Sequence, residues 1–329
     1  MAFPAGGRRR VREFIQPRIL VSRCIEFEPC RYNGIMISSE IVKRLRAAAE
    51  MYPVCPEVEI GLGIPREPLR LVERGEGLHL IQPATGRDVT VEMHTFAEWF
   101  LKSLPPLDGF LLKDRSPSCG IKNVSIYTGS EEKEARMRGI GLFASEVMKH
   151  FPLLPKTTER DLVSSRLRDH FLTQIYMLAE FRAVRNHETT KNLLQFHAEN
   201  KYLLTAYQRS GYNTLTALAT NREERSFDVV MREYEEHLLR VLSRPPRITS
   251  HLGVLSHALT HFAEAAIPPK DRKALEEQLE AYRRGERPLS APRTLIREWI
   301  VRFDEDYLGQ QTYFEPYPAV MEISGHDLP

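Results

Sequence analysis

Apolar positions along this chain follow two spacings, and the change from one to the other divides it. In the first half, short apolar runs stand at Ile19-Leu20-Val21, in Met51-Tyr52-Pro53-Val54 and at Gly109-Phe110-Leu111-Leu112. Such runs, bounded by polar and turn residues, predict strands. Between them, 39–50, 93–104 and 132–150 carry apolar residues at helical spacing. Strand and helix in alternation predict a mainly parallel α/β sheet with right-handed crossovers. From residue 158 the spacing is helical throughout: 162–184, 192–208, 226–243, 251–263 and 271–285. Breaks are expected at Gly211, at Arg244-Pro245-Pro246 and at Pro268-Pro269. The expected division is a basic arm over 1–16, an α/β domain over 17–157 and an all-α domain over 158–329.

Composition adds limits. The 329 residues are 42% hydrophobic and 27% charged, enough for two domains with sizeable cores. No apolar stretch approaches the roughly 18 to 20 residues of a membrane helix. The start, MAFPAGGRRRVREF, has basic residues with no apolar run behind them, so it does not read as a secretory signal. A cytoplasmic protein without a membrane partner is expected. The formal net charge of +2 argues neither for nor against nucleic acid.

Candidate chemistry starts from the cysteines. All four, Cys24, Cys30, Cys55 and Cys119, lie in the first half, a clustering that suggests metal or catalysis rather than disulfides. No C-x-x-C pair is present, so spacing alone fits no zinc template. Cys24, Cys55 and Cys119, however, each follow a predicted strand, and Cys119 ends a polar Ser-Pro-Ser-Cys-Gly loop. Parallel strands present their C-terminal ends at one edge, where ligands bind. Three thiolates converging there could hold zinc or an iron–sulfur cluster. Equally, they could be ordinary semi-buried thiols.

The segments "VSRC…RYNG", "PVCPEVEIGLGIPREPLRLV" and "DGFLLKDRSPSCG" resemble the TudS-type thiouracil desulfidases over about residues 17–155. "LRDHFLTQIYMLAEFR", "LLQFHAENKYLLTAY", "LGVLSHALTHF", "YRRGERPLSAPRTLIREWI" and "YLGQQTYFEPYP" resemble the YbgA-type helical domain over about 158–320. The fusion is similar to the RudS-type tRNA 4-thiouridine desulfidases. The resemblance implies a 4Fe–4S cluster held by Cys24, Cys55 and Cys119, with one iron open for the substrate's sulfur. It also implies a non-redox conversion of 4-thiouridine in tRNA to uridine with release of sulfide. Free thiouracil as substrate, or an RNA-binding or redox-sensing protein with a structural cluster, are the alternatives. Cys30 departs from the family, which has a small apolar residue at that place. It is read as a packed or free thiol, with a fourth ligand, a sulfur acceptor or a redox partner as alternatives.

Exchange of C=S for C=O calls for groups that take and give protons. Glu57 and Ser116, beside the cluster cysteines, are the catalytic candidates, with Ser118 as alternate to Ser116. Their structural alternatives are an ion pair of Glu57 with Arg31 or Arg66, and a turn shaped by Ser116. Glu59 ranks lower, because an extended 57–60 would turn it to the other face. Arg31, Tyr32, Arg66, Lys113 and Ser118 are candidate substrate contacts, Tyr32 by stacking on a base and Arg66 by meeting phosphate. In the helical half, Phe196, His197, Lys201 and Tyr202 share a face, readable as core packing or as a basic-aromatic RNA patch. Arg182, Lys201, Arg244, Arg247 and Arg283, with Arg284 and Arg287 beside the last, are the candidate tRNA contacts. Oligomeric state is not legible.

Overall fold

The structure, a computed structural model, describes residues 12–75, 77–129, 135, 137–186, 189–221, 223–262 and 267–322. Arg8, Arg9 and Arg10 of the expected basic arm lie outside the described residues.

The first half runs β1 (Arg18–Ser22), α1 (Glu40–Ala48), β2 (Glu50–Val54), α2 (Pro56–Glu59), β3 (Arg70–Arg74), β4 (Gly77–Gln82), β5 (Arg87–Asp88), α3 (Thr90–Ser103), β6 (Gly109–Leu112), β7 (Val124–Tyr127), β8 (Met137–Gly139), α4 (Leu142–His150) and β9 (Lys156–Thr158). One sheet, in the order β2-β1-β6-β9, is wholly parallel. Its central strands are buried on both faces, which is why they read as unbroken apolar runs. The second sheet, β5-β4-β3-β7-β8, is antiparallel except where β3 meets β7. The mainly parallel α/β expectation is therefore correct, with a mixed sheet beside it.

The helix expected over 132–150 is shorter. It starts at Leu142, and β8 precedes it, pairing Met137 with Ile126; residues 130–134 and 136 lie outside the described residues. The Gly-Ile-Gly sequence at 139–141 separates strand from helix.

The second half is all helical: α5 (Ser165–Asn186), α6 (Thr190–Glu199), α7 (Lys201–Thr220), α8 (Phe227–Leu242), α9 (Ile248–Leu259), α10 (Pro269–Arg283), α11 (Ser290–Arg302) and α12 (Asp306–Gly309). The expected helix over 192–208 is two helices, parted at Asn200. No break falls at Gly211. The chain kinks at Gln208 instead (φ −161°, ψ 106°), and Gly211 lets α8 approach, since a Cβ there would collide with Val241.

Helix α5 joins the two halves. Phe171, Leu172, Ile175 and Tyr176 pack under the parallel sheet with Ile19, Val21 and Leu111. Met177, Leu178 and Phe181 belong to the helical core with Leu204 and Tyr234. A Cβ on Gly109 would stand 2.8 Å from Ile175, so the sheet admits the helix only where β6 carries no side chain. Farther along the chain, Tyr317 and Met321 return to the same layer as Ile41 and Leu45 of α1. Among the described residues no helix is long and apolar enough to cross a membrane.

Candidate active site

The parallel strands end at one edge, and a cavity of 430 Å³ opens there. The chain leaving β1 supplies Cys24 and Cys30, and that leaving β2 supplies Cys55. The loop after β6 supplies Lys113 through Cys119, and the turn after β9 supplies Arg160. All four cysteines line the cavity, and all four are free and buried.

Their thiols interact. Cys55 Sγ donates to the Cys30 carbonyl at 3.7 Å. A hydrogen bond with Cys24, joined by burial, pushes the Cys30 thiol up, with Cys55 and Arg23 opposing. The hydrogen bond with Cys30, then burial, raises Cys55 far above the ordinary thiol value. Burial raises Cys119, with the Ser22 and Ser116 hydroxyls opposing. As free thiols these groups are disfavoured as anions, and a bound cation reverses that preference. Cys30 thus lies among the other thiols rather than apart from them.

Glu57 sits in the helical turn α2, not in an extended segment. Its Oε2 accepts from Arg66 Nε at 2.9 Å and Nη2 at 2.6 Å, and its Oε1 accepts from Ser118 Oγ at 2.8 Å. The turn sends Glu59 to Arg23, 3.1 Å away. Arg66, with only 4% of its side chain exposed, also donates to the Cys30 and Gly63 carbonyls at 3.0 Å each. Its Nη2 approaches Cys55 Sγ at 3.9 Å. These commitments turn it away from the phosphate contact expected of it and make it a buried cation beside the thiols.

The Ser-Pro-Ser-Cys-Gly loop is held from behind by the start of α4. Gly141 N–H donates to the Gly120 carbonyl (2.7 Å), Leu142 N–H to Pro117 (3.0 Å) and Ala144 N–H to Ser118 (3.0 Å). Ser116 Oγ accepts from the Ser118 and Cys119 N–H groups at 3.2 and 3.0 Å, so it shapes the turn and also lines the cavity. Ser118 is fully buried behind Glu57 and does not line the cavity, so direct substrate contact, one role expected of it, does not match its position.

Lys113 Nζ lies 2.6 Å from Glu159. Tyr32 is 41% exposed, with the Arg31 guanidinium 5.6 Å from its ring centre, so it is not a core aromatic. Sequence reasoning missed Ser22, which touches Cys119 and accepts from Lys113 N–H at 2.9 Å. It also missed Arg115 and Arg160 at the cavity mouth. Ser22, the last residue of a strand, was the readable signal.

The helical half does not assemble the expected patch. Phe196, His197 and Tyr202 are buried. His197 bonds Tyr234 and Thr216 at 2.9 Å each, and Lys201 Nζ donates to Tyr307 at 3.2 Å. Arg182 binds Asp108 at 2.9 Å and the Gln16 carbonyl, fastening α5 to the sheet. Arg283 pairs with Glu280 and Arg284 with Glu280 and Glu286. Arg244, Arg247 and Arg287 are exposed.

Among the described residues no three His, Cys, Asp or Glu side chains gather closely enough for a single metal ion. The donor set instead suits an iron–sulfur group. Buried soft thiols share one cavity, and the Arg66 guanidinium stands beside Cys55 to offset thiolate charge.

Residues 19–159 match the family model described as 2-thiouracil desulfurase, and residues 201–318 match the one described as protein of unknown function (DUF1722). The chain is 28% identical over 160 residues to uncharacterized protein YbgA of Escherichia coli (strain K12), across 48% of this chain and 94% of that protein. It is 35% identical over 122 residues to uncharacterized protein YbbK of Bacillus subtilis (strain 168), across 34% of this chain and 78% of that protein. Among solved structures, the 4Fe–4S-dependent thiouracil desulfidase TudS is similar at 32% identity, covering 45% of this chain and 94% of that one, with a TM-score of 0.37.

Proposed function

Through residues 19–159 the chain belongs to the 2-thiouracil desulfurase family, and on that premise we propose that it hydrolyses the thiocarbonyl of a thiopyrimidine, with 4-thiouridine in tRNA as the substrate. Water replaces sulfur at the ring carbon, hydrosulfide leaves, and no net electrons are exchanged. The observation that carries the reading is the convergence of Cys24, Cys55, Cys119 and the Glu57 carboxylate on one cavity. Cys24, Cys55 and Cys119 would hold a 4Fe–4S cluster, with Cys30 as a hydrogen-bonding neighbour. When bound, the cluster supplies a soft Lewis acid for the thiocarbonyl sulfur.

The chain's own residues supply the rest. Arg66 and Ser118 fix the Glu57 carboxylate from two sides, leaving it to take the proton of the incoming water. Ser116 Oγ accepts from two backbone N–H groups and its hydroxyl lies against Cys119 at the cavity wall, so that it stabilises the departing sulfur or the new carbonyl oxygen only by turning its proton from that thiol toward the ligand. Arg66 keeps positive charge under the thiolates.

A second reading, free thiouracil as substrate, is favoured by one observation: α5 serves as a layer of the sheet domain, so the helical half has a structural use without RNA. The test is incubation of anaerobically purified, iron-loaded protein with bulk tRNA and analysis of the digested nucleosides. Equal loss of 4-thiouridine and gain of uridine, without reductant, supports tRNA. Conversion of free 4-thiouracil alone supports the second reading.

A further inference from the structure

We propose that the buried Nε–Nη2 edge of Arg293, in the helical half, seats a small oxyanion that offers two oxygens, a carboxylate or a phosphate. The seat is separate from the cysteine cavity and does not depend on what that cavity turns over.

Arg293 lies on α11 with 2% of its side chain exposed. Its Nη1 donates to Asp169 Oδ1 at 2.9 Å, and its guanidinium carbon stands 5.3 Å from the Tyr313 ring centre. Its Nε and Nη2 are buried and have no hydrogen-bond partner among the described residues. These two N–H groups share one edge of the guanidinium and point the same way, the fork that holds a carboxylate or a phosphate. A buried donor left without an acceptor is costly, and here two stand side by side. The same edge of Arg66 is filled: its Nε and Nη2 both donate to Glu57 Oε2, at 2.9 and 2.6 Å.

The surrounding charge gives the sign of the ligand. Arg166 donates to the Pro246 carbonyl and Arg168 to those of Leu162 and Val163, neither forming an ion pair among the described residues. Like Arg293, Arg166 bears on His251 and Tyr282, and Arg168 bears on Asp169. Arg44 is answered by Glu40 and Arg297 by Glu315. Three guanidiniums therefore share Asp169, while burial raises the carboxyl of Glu322, the other acid within reach. Solvent touches the pair, since the Asp169 side chain is 20% exposed. Half-buried His170 and Tyr207 flank it, bonded to each other at 2.8 Å. Helix α7 kinks at the next residue, Gln208, so the wall beside Asp169 is not a continuous helix. The fork lies too deep for the backbone of a polymer, which limits the ligand to a small anion.

The test is thermal unfolding of the iron-loaded full chain in acetate and, separately, in inorganic phosphate, each against chloride at equal ionic strength. A seat fills saturably. The midpoint should rise by about 3 °C or more below about 20 mM of at least one oxyanion and then level off. Exclusion of salt from the surface would give only a continuing slope. A rise with acetate alone identifies a carboxylate seat, and one with phosphate alone a phosphate seat. Arg293→Lys keeps the charge without the fork and should lose the rise. Arg166→Gln, at an exposed position, should fold normally and need severalfold more anion for the same rise. A crystal soaked in selenate supplies the second readout, and decides the matter should Arg293→Lys not fold: the anomalous peak belongs within hydrogen-bond distance of Arg293 Nε and Nη2. No saturable rise over chloride, a rise kept unchanged in either variant, or a fork met only by water in the crystal overturns the seat.

Discussion

Ser118 Oγ donates to Glu57 Oε1 at 2.8 Å, joining the cysteine loop after β6 to the turn after β2. Each residue flanks a cysteine of the cavity, so the bond sets the carboxylate relative to two thiols at once. Glu57→Gln keeps the shape and removes the proton acceptor. Turnover should fall by about 10² to 10⁴ with iron content unchanged. Ser118→Ala, which only loosens the carboxylate, should cost about 10- to 100-fold. Product yield and bound iron measured on the same samples check both, and a Glu57→Gln enzyme with wild-type turnover would remove Glu57 from the reaction.

The thiols separate by role in a loading experiment. Cys24→Ala, Cys55→Ala and Cys119→Ala should each leave little or no iron after anaerobic reconstitution. Cys30→Val should load normally and keep the visible absorbance of the cluster under a chelator. Faster bleaching of the Cys30→Val protein would make Cys30 a ligand instead.

Gly141 faces the back of the cysteine loop. A Cβ there would stand 2.5 Å from the Ser118 carbonyl oxygen and 2.8 Å from that of Ser116, and backbone atoms give way only by moving the loop. Gly141→Ala should therefore lower iron content and turnover together while the helical half stays folded. Iron assay beside circular dichroism separates these outcomes.

Asp169 on α5 accepts from Arg293 on α11 at 2.9 Å and from the Tyr317 hydroxyl at 2.7 Å, and the Arg293 side chain is 2% exposed. Asp169→Asn strips a buried guanidinium of its counter-charge, which typically costs about 3–5 kcal/mol. Denaturant titration at neutral pH should show that loss. A change below about 1 kcal/mol would mean that the site readily rearranges or hydrates.

Burial holds His170, His197 and His251 down at about 4, against about 6.5 in an unfolded chain. Between those values the unfolded chain binds protons that the folded one refuses, so stability falls as pH drops from about 6.5 towards 4. Burial is the cause, and the neutral His197 ring still has a partner at each nitrogen. Thr216 Oγ1 donates to the Tyr212 carbonyl, and the two ring nitrogens lie 2.9 Å from Thr216 Oγ1 and Tyr234 Oη. Unfolding free energy measured at pH 7, 6 and 5 should drop by a few kcal/mol in total; a flat profile would contradict it.

Much of the sheet was legible because β1 and β6 are buried on both faces and carry unbroken apolar runs. The strand-end placement of Cys24, Cys55 and Cys119 could be read for the same reason. The turn at 56–59 was not, because four residues are too few for periodicity to distinguish helix from strand. The break at Asn200 was hidden by apolar spacing that continues through it, and Gly211 was mistaken for a stop because a glycine chosen for close approach looks the same in sequence. The supposed RNA face failed for a related reason. Phe196, His197 and Tyr202 have the composition of a binding patch, and only their packing against Tyr234, Thr216 and Phe314 shows that they point inward.

Tyr317 and Met321 complete the layer beneath α1, and Arg44 on that helix donates to the Val320 and Glu322 carbonyls at 3.0 and 2.8 Å. The cysteine-bearing half is thus closed by residues synthesised long after it. During translation β1, α1 and β6 wait with one face uncovered, and the thiols wait with them. The cover supplied by α5 comes first and the share supplied by Tyr317 and Met321 comes last, so the layer beneath the cysteine-bearing sheet is complete only when the chain is synthesised to Met321.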